Sequence, residues 1–387
     1  MALDTAALWN ALHTEMAAAR ELRHRLHALP DLSGDEAATR DIVLAALPHG
    51  SSVTKAAETG AIVRIGRDGA AVGVRGELDA LPVTERTGAS FASTRPGVMH
   101  ACGHDVHLAA LVAVARAVRA TPGATPLLAV LQPREETYPS GAQDIVESEL
   151  LVRENCAAMI GAHLQPSLDV GVVACVPGGV NASSDEFIIE VHGQSGHAAY
   201  PHMTRDPVLA MAAIVVALQS IVSRAVDPMS PAVVGVSALE AGTSANVVPG
   251  TARARGTIRA LATATRELLH SRVVDVAQSV AAAHACTAEV TFVHGEPVLE
   301  NDPALVEATT QQLAKQNLAV SATLRSVGSD DFSFYGEVVP SIMLFVGTEP
   351  TVPLHADTFL PPDESVDLVA RALMCGYLAA ADMVRST

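Results

Sequence analysis

Three observations predict an α/β fold in two parts. Short apolar runs alternate with helix-length segments up to His163, the pattern of a mostly parallel sheet flanked by helices. At 387 residues the chain exceeds the usual size of one hydrophobic core. A Gly-Pro break at Pro177-Gly178-Gly179 then changes the order of elements.

Residues 6–28 read as a helix that ends before Leu29-Pro30-Asp31. Ser33-Gly34-Asp35-Glu36 has the spacing of a capping box, with Ser33 at the cap, and opens a helix through about Leu47. Residues 61–65 and 72–78 are strand-like, 104–120 helical, 127–131 a short buried strand, 140–151 helical and 157–163 another strand. After the break come strand 186–192, helix 206–223, strands 232–239 and 251–259, helix 263–283 and strand 287–293. This β-α-β-β-α-β order is the ferredoxin-like pattern. Glu296-Pro297 marks its exit, and the chain returns to helix and strand before a last helix over 363–383. The expected arrangement is an α/β domain from residues 1–180 and 295–387, with a smaller α+β domain, 181–294, inserted in it.

The net charge is −17 and no dense run of Lys and Arg appears, which argues against nucleic acid or an anionic membrane as partner. The five cysteines are scattered without a CxxC pair, which favours free thiols and a reducing cytoplasm over a disulfide framework. Residues 1–20 lack a basic start followed by an apolar core, so no signal peptide is expected. The most apolar stretch, 207–222, is interrupted by Gln219 and Ser220 and reads as a buried helix rather than a span.

Chemistry concentrates in Met99-His100-Ala101-Cys102-Gly103-His104-Asp105-Val106-His107, with Gln132-Pro133-Arg134-Glu135-Glu136 about thirty residues on. Borderline and soft ligands near a carboxylate pair suggest a transition-metal site with a base beside it. In the sheet reading, Glu77 and Asp79, Glu135 and Glu136, and His163 all follow or end strands, where open α/β sheets bind ligands. Alone, each has an ordinary alternative. Glu77 and Asp79 are either hydrated loop carboxylates or site groups, and Cys102 is either a small buried residue or a metal thiolate. His107 is a further ligand, a support for one, or exposed.

Three segments, Arg75-Gly76-Glu77-Leu78-Asp79-Ala80-Leu81-Pro82, the 99–105 run and Gln132-Pro133-Arg134-Glu135-Glu136, strongly resemble the amidohydrolase branch of the M20 metallopeptidase family. That branch contains hippurate hydrolases, N-acyl amino acid amidohydrolases and plant indoleacetyl-amino acid hydrolases. The resemblance continues in family order through His192-Gly193-Gln194-Ser195-Gly196-His197-Ala198, Gly242-Thr243-Ser244-Ala245-Asn246-Val247-Val248-Pro249, Gly256-Thr257-Ile258-Arg259, Gly328-Ser329-Asp330-Asp331-Phe332-Ser333 and Leu354-His355.

The resemblance implies a metal-dependent enzyme that hydrolyses the amide of an N-acyl amino acid to a carboxylic acid and a free amino acid. It implies two divalent ions per subunit, drawn from manganese, zinc, cobalt or nickel. Cys102, His104, Glu136, His163 and His355 are the implied ligands, with Cys102 bridging. Glu135 is the implied general base and Asp79 the carboxylate that orients a ligand. Glu77 stands where other branches place a metal-binding histidine. His197 is the implied oxyanion partner, donated across a homodimer formed by the inserted domain, which also serves as a lid. Asn246 and Arg259 match substrate-contacting positions, and a guanidinium suits a carboxylate; the alternative for Arg259 is a strand-surface arginine. Arg134 departs from the small residue usual in the branch, and Thr137-Tyr138-Pro139-Ser140 replaces a glycine-rich stretch; both are expected near the mouth of the site, where Tyr138 either lines an acyl pocket or caps the next helix. The alternatives are a dipeptidase or carboxypeptidase on the same site, a non-hydrolytic metal-binding protein, and Cys102 as a covalent nucleophile.

Overall fold

The computed structural model describes residues 3–349 and 352–386. The chain forms two compact units. One comprises Met1–Gly178, Glu300–Leu324 and Asp331–Thr387; the other comprises Gly179–Leu299 and Arg325–Asp330.

The first unit is built on an eight-stranded mixed sheet, in the order Ser52–Ala56, Gly60–Ile65, Leu127–Gln132, Ala71–Glu77, Cys156–Gln165, Ser341–Gly347, Val172–Ala174 and Ala319–Ser321. The four middle strands, from Leu127–Gln132 to Ser341–Gly347, are mutually parallel. Three of them are buried along their whole length, which explains their largely apolar sequence. The hairpin at one edge and Val172–Ala174 at the other pair antiparallel to them. Helix His104–Ala120 is buried on nearly every side, between the sheet and helix Thr5–Ala28.

Two local expectations are corrected. Ser33 does not cap the second helix, which runs over Ala37–Ala46 without a side-chain cap. Its hydroxyl donates to Asp79 Oδ2 at 2.8 Å, and Glu36 turns back to accept from Gly34 N. A buried carboxylate claimed the Ser33 donor, which a local capping rule does not foresee. The helix expected over 140–151 breaks into Gly141–Glu147 and Leu150–Arg153, because Glu149 adopts φ +58 between them.

The second unit carries a four-stranded antiparallel sheet in the order Ala232–Ala241, Thr251–Ala260, Asp185–His192, Thr287–His294. Helices Pro207–Ala225 and Thr263–Ala283 pack on it through Met211, Ile214, Leu218, Leu269 and Val273 against Phe187, Ile189 and Ile258. Asp206 caps the first of these helices by accepting from Val208 N and Leu209 N. Among the described residues this is the one helix long and apolar enough to cross a membrane by length and composition. It is buried on one face only; Leu209 and Val216 are 58% and 74% exposed. The reading as a buried helix therefore holds for half its surface. The segment Arg325–Asp330, expected with the larger domain, instead joins this unit: Ser326 N donates to Val180 O at 2.9 Å and Arg259 to Ser329 Oγ at 3.3 Å.

Asp185, wholly buried, anchors the second unit where the first strand of its four-stranded sheet begins. Arg266 grips both its oxygens at 2.7 Å, His270 Nε2 lies at 2.9 Å and Gly295 N donates at 3.3 Å. With His270 and His294 it forms a group that could hold a metal, but the guanidinium, imidazole and amide already occupy the carboxylate. Burial opposes its ionisation, yet Arg266 and His270 outweigh burial and hold its pKa below the usual value. The ionised form therefore stabilises the fold above the unfolded Asp pKa of roughly 4, and that contribution is lost as pH falls through the lower folded value. Asp185→Asn should lower stability by about 3–5 kcal/mol at neutral pH and flatten the acid limb of a stability-versus-pH curve; an unchanged acid limb would contradict this role.

Candidate metal centre and active site

Four parallel strands, one more than the sequence suggested, send residues to the same edge. Glu77 ends its strand and Asp79 follows; Glu135 and Glu136 follow Gln132; His163 lies near the end of Cys156–Gln165; His355 comes after Ser341–Gly347. This is where the carboxyl ends of a parallel sheet place ligands.

Gly103 sets Cys102 and His104 beside each other. It sits at φ +85 as the residue before helix His104–Ala120, and a Cβ there would come within 2.8 Å of Leu164 Cδ1. His104 Nδ1 donates to the Asp79 carbonyl at 2.9 Å, which leaves the Nε2 lone pair facing the centre. His163 Nδ1 donates to its neighbour's carbonyl, Leu164 O, at 2.7 Å, and its Nε2 lies 3.4 Å from Cys102 Sγ. His355 is held in a left-handed conformation, φ +68, by its own amide bond to Ala101 O. Its Nε2 stands 3.3 Å from Glu136 Oε1. Glu135 Oε2 is 3.7 Å from His104 Nε2. The ligating atoms of Cys102, His104 and Glu136 all lie within 4.8 Å of one another. The structure thus brings together Cys102, His104, Glu135, Glu136, His163, His355 and Asp79.

These residues fit a divalent metal. His104 Nε2 and Glu136 Oε1 are buried without a hydrogen bond, a costly state that coordination would relieve. Burial pushes the Cys102 thiol well above its usual pKa, His104 opposing, so the thiolate needs a cation beside it. Burial also opposes a charge on His104, but Asp79 and Cys102 raise its pKa well above the usual value. The pKa of His355 is raised too, chiefly by Glu136. The Cys, His and Glu donor set suits borderline divalent ions.

Asp79 ties the two loops together: its Oδ2 accepts from Ser33 and from Glu136 N at 3.0 Å. Behind it, Arg75 donates to Glu77, to Gln132 Oε1 at 3.0 Å and to Asp331 Oδ1 at 3.1 Å. Glu77 in turn accepts from His107 Nδ1 at 3.1 Å, while His107 Nε2 accepts from Leu164 N. Both ring nitrogens of His107 are thereby used, which makes it a support and not a ligand. Asp105 faces away, to Arg23 Nε and His27 Nδ1, both at 3.0 Å. Arg23 and His27 belong to no site motif in the sequence, and Arg75 and Gln132, though they open two of the motif segments, were given no role there. The one visible signal was an arginine inside an apolar strand.

His197, Asn246 and Arg259 lie in the second unit. Val247 pairs with His197, and Ala198 N donates to Asn246 O at 3.0 Å, so the first two are neighbours. His197 is exposed, its Nδ1 accepting from Ala199 N. Arg259 is half-buried at the Ser329 contact. The expectation for Arg134 is corrected: its guanidinium is not at an open mouth but buried against Pro139 O, Asp144 and the 57–58 turn. Ser140, not Tyr138, caps the next helix, and Tyr138 is exposed.

Residues 73–385 match the model of the peptidase family M20/M25/M40. The chain belongs to that family. It is a metal-dependent amidohydrolase. It is 33% identical over 364 residues to an N-acetyldiaminopimelate deacetylase of Shouchella clausii, covering 93% of this chain and 97% of that one. It is also 33% identical to the N-acetyl-L-cysteine deacetylase of Bacillus subtilis, over 87% of this chain and 82% of that one. A solved Bacillus subtilis protein, YXEP, described as a dinuclear metal binding peptidase of the M20 family, superposes with a TM-score of 0.82 at 27% identity, over 97% of this chain and all of that one.

In this M20-family chain the Asp79 contacts should govern metal retention. Asp79→Ala is expected to weaken metal binding about 10–100-fold, read by competition with a chromophoric chelator. Retention equal to the parent would remove Asp79 from the centre.

Proposed function

We propose that this protein hydrolyses N-acyl amino acids, releasing a carboxylic acid and a free amino acid. The observation that carries the reading is the Glu135 carboxylate, 3.7 Å from His104 Nε2 and beside the other metal-type donors. Simple metal binding does not require a second carboxylate there. The relatives named for N-acetyldiaminopimelate and N-acetyl-L-cysteine make N-acetyl amino acids the first substrates to try.

Cys102, His104, Glu136, His163 and His355 would hold two divalent ions. Such a pair, when bound, acidifies water and polarises an amide carbonyl. Glu135 takes the proton of the attacking water and passes it to the amide nitrogen, which must leave as an amine. Glu136, adjacent but turned to His355, does not compete for that proton. Asp79 holds His104 and the Glu136 amide in place. His197 donates a hydrogen bond to the oxygen of the tetrahedral intermediate. Asn246 and the guanidinium of Arg259 bind the substrate carboxylate.

The second unit, with its ferredoxin-like order of elements, serves in this reading as lid and dimerisation domain. Two features support a second copy as its partner. The helix Pro207–Ala225 shows an apolar outer face of Val208, Leu209, Ala212 and Val216. Strand Ala232–Ala241 lies at the sheet edge with an unpaired side. A reducing cytoplasm accords with five free, buried cysteines.

A panel of N-acetyl, N-benzoyl and dipeptide substrates, with each metal restored to the apo protein, tests the activity. Preference for dipeptides would replace this reading with a peptidase. Glu135→Gln should keep its metal and lose turnover about 100–10,000-fold; full activity would sink the base assignment. Mixing inactive Glu135→Gln and His197→Ala subunits should regenerate activity if His197 acts across the dimer. A mixture as inactive as its parts, after subunit exchange, would place His197 otherwise.

A further inference from the structure

We propose that Arg134 is a positioning residue for Glu135, the base in the reading above, on which this inference rests. The backbone of Arg134 is left-handed at φ +48, a conformation uncommon for a residue with a side chain. Its amide donates at 2.9 Å to Oε1 of Glu36, a fully buried carboxylate that also accepts from Gly34 N at 2.8 Å and Thr59 Oγ1 at 2.6 Å. Its carbonyl accepts from Gly141 N at 3.2 Å. Both peptide groups flanking Arg134 Cα are therefore pinned, one residue before Glu135.

The guanidinium extends the same grip. Nε donates to Pro139 O at 3.1 Å, one terminal nitrogen reaches Ala57 O and Glu58 Oε2 at 3.4 Å each, and the other binds Asp144. One planar fork thus joins the 57–58 hairpin turn, the loop after Glu136 and the first turn of helix Gly141–Glu147. That helix start already presses on the same strand exit: a Cβ on Gly141 would lie 1.8 Å from Pro133 O. The loop carrying Glu135 and Glu136 is held from outside by Arg134 and from inside by Asp79, which accepts from Glu136 N. Glu136 has that second hold and His355 beside it. Glu135 follows Arg134 directly, and its Oε2 lies 3.7 Å from His104 Nε2.

The consequence is selective. Loosening Arg134 should displace the base while leaving the metal donors in place. A displacement near 1 Å at a reacting group costs about 100-fold in rate. A lysine cannot replace the fork, because a single ammonium does not reach three separated acceptors. Glycine accepts the left-handed backbone but removes the fork.

The test uses the metal-loaded full chain with its best N-acyl amino acid. Arg134→Lys and Arg134→Gly should keep the parent's metal content and KM within about twofold and lose kcat about 10–100-fold. Added millimolar guanidinium should restore part of the kcat of Arg134→Gly. Asp144→Asn, a milder change at the far end of the fork, should lower kcat in the same direction without changing KM, and should add nothing to Arg134→Gly. Parent-like kcat in Arg134→Lys and Asp144→Asn, with Glu135→Gln inactive, overturns the role of Arg134 and leaves the base standing. Losses of metal that account for the loss of kcat also overturn it, since Arg134 would then be structural. An active Glu135→Gln overturns both.

Discussion

One buried cation, Arg75, ties together the ends of two central strands of the first unit and a distant segment. It lies in the strand Ala71–Glu77, 1% exposed, with its guanidinium on Glu77, Gln132 and Asp331 and over the ring of Phe332. A charge so far from water is tolerable only when every donor is answered, and removing one partner of such a pair costs about 3–5 kcal/mol. Its partners belong to two neighbouring parallel strands and a segment about 250 residues away. Gln132 also donates to Asp331 and accepts from Tyr335, and Ser140 donates to Asp331. The network therefore spans the exits toward Asp79 and Glu135. Burial opposes the ionisation of Glu77, but Arg75 and His107 keep its pKa well below the usual value.

On this frame the imidazoles are oriented by carbonyl groups. Asp79 O takes the Nδ1 proton of His104 and Leu164 O that of His163, so both present Nε2 inward. His107, with Glu77 on one nitrogen and Leu164 N on the other, is the contrasting case: the same residue type, three positions along the helix, is consumed by the scaffold. The difference lies in which backbone group each ring meets.

Much of this was legible in the chain. Helix His104–Ala120 coincides with its expected bounds because a left-handed glycine precedes a stretch rich in alanine, leucine and valine. The buried parallel strands show as largely apolar runs. The donor residues are marked by the crowding of His, Cys and Glu in the segments just after those runs. Ser33 was misread because its hydroxyl serves Asp79, 46 positions away, instead of the next helix. Arg134 was misplaced because a charged residue beside a site motif reads as part of the mouth, whereas Glu36, Asp144 and the 57–58 turn draw it inward. The strands Ser52–Ala56 and Ala319–Ser321 went unseen, being short edge strands with little buried apolar surface.

By itself the sequence determined the order of the longer strands and helices, and which residue types reach the carboxyl edge of the sheet, since both depend on local periodicity and on the few residues after each apolar run. Only the tertiary structure decided which donors meet. It placed His355 against Ala101, set Glu136 toward His355 and Glu135 toward His104, and removed His107 and Arg134 from the centre. Those choices depend on burial and on carbonyl and carboxylate groups supplied by distant segments, and no local pattern in the chain encodes them.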